Sequence, residues 1–301
     1  MEFKKNGRCP ICKSGVLFDK GSYNDMLYKN EGEWNIIKCD NCQHETIYPM
    51  LTDGEIAKLY DVENYYSFKT GNINQILRYI RSKTRRLFPK KLNKKNFLDY
   101  GCGDGEVLNL AKASGANVYG IELGDGAEIL KKNTGLEIRE KANSKWYGNM
   151  DYVRSFHSYE HIVNPKLVME LFAELVTSET GRVLIGVPNV NSWTANLFGR
   201  YYFYRGVPLH LHGYTPESIR LLGEQCGLKI VSISTPGSFR GLLGSISIFF
   251  QYFFKKRTRE PSNLSLFIMM PIYILFYPIV KIGNFFHKGD VLEVEFFKPN
   301  V

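Results

Sequence analysis

Residues 96–108 read Asn96-Phe-Leu-Asp99-Tyr-Gly101-Cys-Gly103-Asp-Gly105-Glu-Val-Leu, and no other stretch constrains the fold as tightly. An apolar run ends in an acid, three alternating glycines follow, and a helical pattern begins. Glycine reaches positive φ and lets a ligand approach the backbone without a Cβ in the way. The helix start then offers free N–H groups. Dinucleotide-binding loops need G-x-G-x-x-G, whose third glycine would fall at Glu106, where a carboxylate would face a pyrophosphate. The pattern here is instead D-x-G-x-G-x-G.

The surrounding texture is that of βαβ units on a parallel sheet. Strands are predicted at 96–100, 117–122, 152–156, 182–187 and 228–233, with a weaker one at 136–139 and a last one over Val291–Phe297. Helices are predicted at 105–114, 126–133, 165–177 and 215–226, the last opening on Thr215-Pro216-Glu217. Glu122 ends the second strand, where a carboxylate can accept two hydrogen bonds from vicinal ribose hydroxyls. A nicotinamide dinucleotide would use such an acid too, so the glycine spacing is what disfavours it.

These residues resemble motif I of class I S-adenosylmethionine-dependent methyltransferases. The resemblance implies an α/β fold with a Rossmann-like sheet of seven strands, the last antiparallel. It implies a cofactor-binding set of Asp99, Gly101, Cys102, Gly103, Gly105, Glu122, Leu123 and His157. In that family the strand-end acid helps hold the cofactor's amino-acid end, and the glycines pack under its methionine and ribose. Cys102 is expected to pack and make backbone contact, not to act as a nucleophile. His157-Ser-Tyr-Glu160-His161 with Asn164-Pro165 resembles the family's fourth strand and following loop, though Tyr159 stands where leucine is common. Val187-Pro188-Asn189, Phe198-Gly199 and Pro208 through Pro216 resemble a sub-group in which a zinc ribbon precedes the catalytic domain and many members lie in glycan-biosynthesis clusters. The stretch from Tyr48-Pro49 to Tyr65-Tyr66 resembles that sub-group's link between the two. An oxygen acceptor needs a base near neutral pH, and His161 and His210 are the candidates.

Cys9-Pro-Ile-Cys12 and Cys39-Asp-Asn-Cys42 read as a four-thiolate structural zinc site, since no coordination position is left open. The expected organisation is a ribbon over 1–50, a helical linker over 51–95 and a catalytic domain over 96–301. Within the linker, Thr52-Asp-Gly-Glu55 is a capping box for a helix through Tyr60, and Asn72 can cap a second helix. His44 reads as an ordinary surface residue. MEFKKNGRCP contains no apolar run, so a cytosolic location is expected.

Residues 240–290 interrupt the last βαβ step with two apolar segments, Leu242–Phe254 and Leu264–Val280, around Lys255–Arg259. Seventeen helical residues span about 26 Å at ~1.5 Å per residue, the short limit for a bilayer crossing, and Pro271 and Pro278 would both kink them. The last strand must also return to the same sheet. A shallow interfacial hairpin on the inner membrane surface, formed by 242–286, fits better than a crossing; a lid over the acceptor pocket or a dimer interface are the other readings.

Net charge is +9, and residues 78–95 carry nine basic side chains and no acid, so without them the balance is even. The expected activity is O-methylation of a sugar or lipid-linked glycan. An RNA methyltransferase that grips phosphates with the ribbon and basic helix is a second reading, disfavoured by the apolar insertion. A scaffold with a degenerate methyltransferase fold is a third, disfavoured by the intact Asp99, Gly101, Gly103, Gly105 and Glu122.

Overall fold

The computed structural model describes residues 7–27, 30–59, 87–123, 125–254, 262 and 267–300. The linker helix expected from Asn72, with Arg78, Arg81, Lys83, Arg85 and Arg86, and the charged run Lys255–Arg259 lie outside the described residues.

The larger sheet has seven strands: β4 (Asn96–Tyr100), β5 (Asn117–Ile121), β6 (Glu137–Arg139), β7 (Tyr152–Phe156), β8 (Arg182–Pro188), β10 (Lys229–Ser234) and β11 (Val291–Phe297). Their order is β10-β11-β8-β7-β4-β5-β6. β4 pairs in parallel with both β5 and β7, and β11 runs antiparallel to its two neighbours. The chain therefore leaves β4 on one side for β5 and later returns on the other side as β7. That reversal opens a crevice above the carboxyl ends of β4 and β7, the usual ligand position of such sheets.

Helices cover both faces. α2 (Glu106–Ala113) and α3 (Asp125–Thr134) bury Leu108, Ala111, Ala127 and Leu130 against Phe97 and Ile138. On the other face α4 (Pro165–Leu175) and α6 (Pro216–Gln225) bury Phe172, Leu175, Ile219 and Leu222 against Val153, Val183 and Ile185. Each of these leucine, isoleucine, valine and phenylalanine side chains contributes roughly 1.5–3 kcal/mol. α6 begins as its sequence requires: Thr215 Oγ1 accepts from Ser218 N at 3.1 Å, and Ser218 Oγ accepts from Thr215 N at 2.9 Å.

The N-terminal strands β1 (Leu17–Tyr23), β2 (Trp34–Cys39) and β3 (Glu45–Tyr48) form a second, antiparallel sheet. Its fourth strand is β9 (His212–Gly213), which comes from the catalytic part of the chain. Ile36 and Ile47 pack there with Val207 and Leu211. After β3, α1 (Asp53–Leu59) opens on Thr52, whose N–H donates to Glu55 Oε2 at 2.8 Å.

α5 (Trp193–Phe198) is a short helix after β8. The apolar insertion contains α7 (Phe239–Phe253) and α8 (Met270–Phe285). Pro271 does not kink α8; it lies in its first turn, where the missing N–H removes no helical bond. Pro278 is inside the helix. No helix among the described residues is long and apolar enough to cross a membrane. Leu242, Leu243, Ile248 and Val280 are buried, whereas Phe253, Leu275 and Phe285 are 67%, 76% and 80% exposed.

Candidate active site

The turn after β4 is built by left-handed backbone: Gly101, Gly103 and Gly105 have φ of 71°, 54° and 71°. Gly101 has a second reason to be glycine, because a Cβ there would lie 2.3 Å from Ser158 Oγ. Ser158 Oγ donates to the Gly101 carbonyl at 3.2 Å, joining the turn to the loop after β7. Across the turn, Glu122 Oε2 accepts from Gly103 N at 2.6 Å and its Oε1 from Leu123 N at 3.1 Å. Burial pushes the Glu122 carboxyl up, and these two N–H groups oppose that. Leu123 is exposed beside it. The Cys102 thiol is buried against Gly120, and burial drives its pKa far up, which suits packing and not nucleophilic attack.

Asp99 lies below this turn, 2% exposed. Its Oδ1 accepts from Arg154 Nη1 at 2.9 Å, and Arg154 Nε donates to the Leu87 carbonyl at 3.2 Å. Arg154 also sits over the Phe156 ring at 4.9 Å. The acid expected at the cofactor's amino-acid end thus forms a buried ion pair across β4 and β7.

The loop after β7 brings a group of ionisable side chains beside the glycine turn. His157 adopts φ 54°, and its ring stacks on Tyr204 with centroids 5.5 Å apart. Its Nδ1 is 3.3 Å from Glu160 Oε1. Glu160 is fully buried; burial opposes its charge, and the His157 hydrogen bond and the nearby imidazoles outweigh that and hold its pKa down to about 2. His161 Nδ1 faces the Leu209 carbonyl at 2.9 Å, and His210 Nδ1 faces the Tyr204 carbonyl at 2.9 Å. A carbonyl only accepts, so each of these Nδ1 atoms carries a proton. The two rings meet edge-on at 4.7 Å. Burial, then the neighbouring His161, lowers His210 to about 3, and burial lowers His161, so both imidazoles are neutral at pH 7. His210 is brought from a distant part of the sequence to His157 and His161, and Glu160 is the member that sequence reasoning missed. Its only signal was its place between Tyr159 and His161.

At the N-terminus, Cys9 Sγ lies 3.7 Å from Cys42 Sγ and Cys12 Sγ lies 3.5 Å from Cys39 Sγ. All four sulfurs fall within 4.8 Å of one another. Tetrahedral zinc with bonds of about 2.3 Å needs sulfurs about 3.8 Å apart, so the donor set fits that ion. Lys13 and Gln43, each just after a pair, have φ near 60°, and Gly15 N donates to Cys12 Sγ at 3.3 Å, the geometry of two tight knuckles. His44 is no surface residue. It is wholly buried, its Nε2 3.2 Å from His212 Nδ1, because β9 closes the edge of the ribbon sheet over it.

A family model described as a methyltransferase domain matches residues 73–233. The ubiquinone biosynthesis O-methyltransferase of Escherichia coli O7:K1 (strain IAI39 / ExPEC) is 28% identical over 212 residues, covering 65% of this chain and 85% of that one. The protein of the same name from Aeromonas salmonicida (strain A449) is 29% identical over 195 residues, 59% of this chain and 79% of that one. Among solved structures, an S-adenosylmethionine-dependent methyltransferase from Archaeoglobus fulgidus is 18% identical with a TM-score of 0.47, over 74% of this chain and 94% of that one. With more than half of its length matched by the family model, and with the sheet order and glycine turn described above, the chain belongs to the methyltransferase-domain family and is an S-adenosylmethionine-dependent methyltransferase.

Proposed function

We propose that the acceptor is a hydroxyl of a sugar or lipid-linked glycan. The observation that carries an oxygen acceptor is the pair of imidazoles, His161 and His210, that burial keeps neutral and that meet edge-on in the loops after β7 and β8. When bound, S-adenosylmethionine supplies an electrophilic methyl on a sulfonium. Glu122 accepts from the ribose hydroxyls, and the Gly101–Gly105 backbone lies under the methionine and ribose. Asp99 acts through Arg154, stiffening the strand ends below the turn. One of the two imidazoles accepts the acceptor's proton while the loops hold its oxygen in line with the methyl. The O-methyltransferase relatives support an oxygen acceptor.

The cysteine cluster holds zinc as a structural ion, and the ribbon's role is to hold the loop that carries His210. The exposed aromatics of α7 and α8 rest on the inner membrane surface, where a lipid-linked acceptor would be presented. The test is transfer of a labelled methyl from S-adenosylmethionine to a panel of sugars, nucleotide sugars and lipid-linked sugars. Product on one of these, lost in the double variant His161→Ala/His210→Ala while calorimetry still shows cofactor binding, supports the reading. Product only on RNA, or equal rates in the double variant, overturns it.

A further inference from the structure

We infer that Arg205, with Lys20 and Lys38, forms a site for a phosphate group carried by the acceptor, in the cleft between the ribbon sheet and the loop that leads into β9. The cleft holds about 310 Å³ and is lined by Ile36, Glu45 and Ile47 of the ribbon and by Arg205, His210 and His212 of the catalytic part. That volume is at the small end of small-molecule sites. Three observations fit an anion there better than a purely structural salt bridge.

First, Arg205 is underused. It is 7% exposed, and its Nη1 pairs with Glu45 Oε2. Its Nε and Nη2 are buried with no hydrogen-bond partner. A buried cation with two unmet donors is costly. Nε and Nη2 share one edge of the planar guanidinium, and that edge takes two oxygens of a single phosphate side by side.

Second, the charges do not balance. Lys20 Nζ and Lys38 Nζ lie 2.7 and 3.7 Å from Glu45 Oε1. Among the described residues, Glu45 is the ion-pair partner of Lys20, Lys38 and Arg205, and no other carboxylate pairs with any of them. Three cations thus share one carboxylate, an excess of two positive charges. Burial and then Arg205 lower the Lys20 pKa, and burial and then Lys38 lower that of Lys288. A phosphate ester brings about −1.5 to −2 charge near pH 7, which meets that excess more fully than one carboxylate does.

Third, a further cation stands beside the pair. The guanidinium carbons of Arg200 and Arg205 lie 5.8 and 5.6 Å from the centroid of the Tyr23 ring. The field at this end of the ribbon is therefore positive beyond the Glu45 cluster, and it favours an anionic ligand. Nε and Nη2 are closed to water, so the ligand meets them as the long Arg205 side chain turns within the cleft. Glu45 keeps Lys20 and Lys38 as partners when it does.

His210, one of the two candidate bases, lines the same cleft. The inference deepens the reading of this loop as the acceptor site and rests on it: a phosphate held at Arg205 anchors an acceptor whose hydroxyl is presented toward His210. A nucleoside diphosphate sugar and a polyprenyl-diphosphate-linked sugar both carry that chemistry.

The probe is uridine diphosphate, titrated by calorimetry into the full chain with its cysteines loaded with zinc. Saturating S-adenosylhomocysteine keeps the glycine turn occupied. We expect one equivalent to bind, with affinity falling as salt is added. Arg205→Gln should weaken binding about 10–100-fold. Arg205→Lys, which keeps the charge without the fork, and Lys20→Gln should each weaken it by less. No binding to the wild-type chain overturns the inference, as does unchanged affinity in an Arg205→Gln chain that melts like the wild type. Where Arg205→Gln does not fold, unchanged affinity in Lys20→Gln overturns it. Methyl transfer is then compared on one sugar offered free, as its nucleoside diphosphate and as its polyprenyl diphosphate in detergent. A phosphorylated form should be preferred, through a lower KM that Arg205→Gln raises, and the better of the two diphosphates names the source. Equal rates on the free and phosphorylated sugars refute the phosphate site and leave the hydroxyl acceptor standing. Uridine diphosphate bound at Arg205 with no hydroxyl methylated in any arm refutes the acceptor reading instead.

Discussion

Thr215 Oγ1 donates to the main-chain carbonyl of Cys42 at 2.7 Å, tying the second cysteine knuckle to the start of α6. The same hydroxyl caps that helix by accepting from Ser218 N. Gln225 Nε2 reaches the Ile11 carbonyl at 2.5 Å from the other end of α6, and Arg205 pairs with the buried Glu45. The two parts of the molecule share polar groups as well as a sheet. Thr215→Val should therefore cost about 2–4 kcal/mol, the sum expected for a lost cap and a buried carbonyl left without its donor. Urea denaturation followed by fluorescence measures this. Stripping the ribbon metal should also lower the melting temperature of the whole chain in one transition; an unchanged catalytic-domain transition would refute the coupling.

Glu122 holds the glycine turn through Gly103 and Leu123, and under the proposed function its carboxylate also accepts from the cofactor's ribose. Glu122→Ala should weaken S-adenosylmethionine binding about 10–100-fold, as expected when charge-assisted hydrogen bonds worth roughly 1.5–3 kcal/mol are removed. Burial raises this carboxyl, and the ionised form is the one that accepts from ribose. Cofactor affinity should thus fall as pH drops through that raised value, at higher pH than an ordinary glutamate would give. Glu122→Gln should bind weakly but without that pH dependence. Calorimetry across a pH series reads both.

Gly101→Ala places a methyl 2.3 Å from Ser158 Oγ on a backbone at positive φ. The variant should lose cofactor binding and more than about 1–2 kcal/mol of stability, since the left-handed conformation alone costs an L-residue roughly that much and the clash adds to it. The double variant Gly101→Ala/Ser158→Gly should recover part of the stability but not all, because only the clash is relieved.

Asp99 and Arg154 are both nearly wholly buried. Asp99→Ala alone should cost about 3–5 kcal/mol by stranding the guanidinium. Asp99→Leu together with Arg154→Met should be markedly less harmful than either single loss of charge. Equal destabilisation by the single and double changes would show that the pair does not act as a unit.

The sheet was legible in the sequence because each strand is an apolar run bounded by turn residues, and its edges fall within a residue or two of 96–100, 152–156 and 291–297. The cysteine knuckles were legible because four thiolates at that spacing have few other uses. His44 was misread because a histidine beside a knuckle gives no sign of β9, whose pairing partner lies more than 160 residues away. Glu160 escaped notice for the same reason: its significance depends on His210, which only the loop after β8 brings near. Asp99 was legible as a site acid, but its partner Arg154 sits on a neighbouring strand, and strand adjacency is a property of topology and not of spacing.

The exposed aromatics of α7 and α8 give a direct prediction. Phe253→Glu with Leu275→Glu, both at exposed positions, should leave the melting temperature nearly unchanged and reduce co-sedimentation with anionic vesicles at least tenfold. Equal sedimentation of the variant and the wild type would remove the membrane from the proposed function.

Ser234, at the end of β10, lies opposite Glu293 near the start of β11. The whole of α7, α8 and their connection is therefore the loop of one antiparallel hairpin, anchored where Ser238 N meets Asp290 Oδ2 at 3.0 Å. Closing a hairpin loop costs only slowly more as it lengthens. The segment is thus free to be exchanged, shortened or replaced between lineages while the strand register, and with it the methyl-donor crevice on the far side of β8, stays as it is. If the proposed function holds, acceptor choice and membrane affinity become heritable separately from the chemistry.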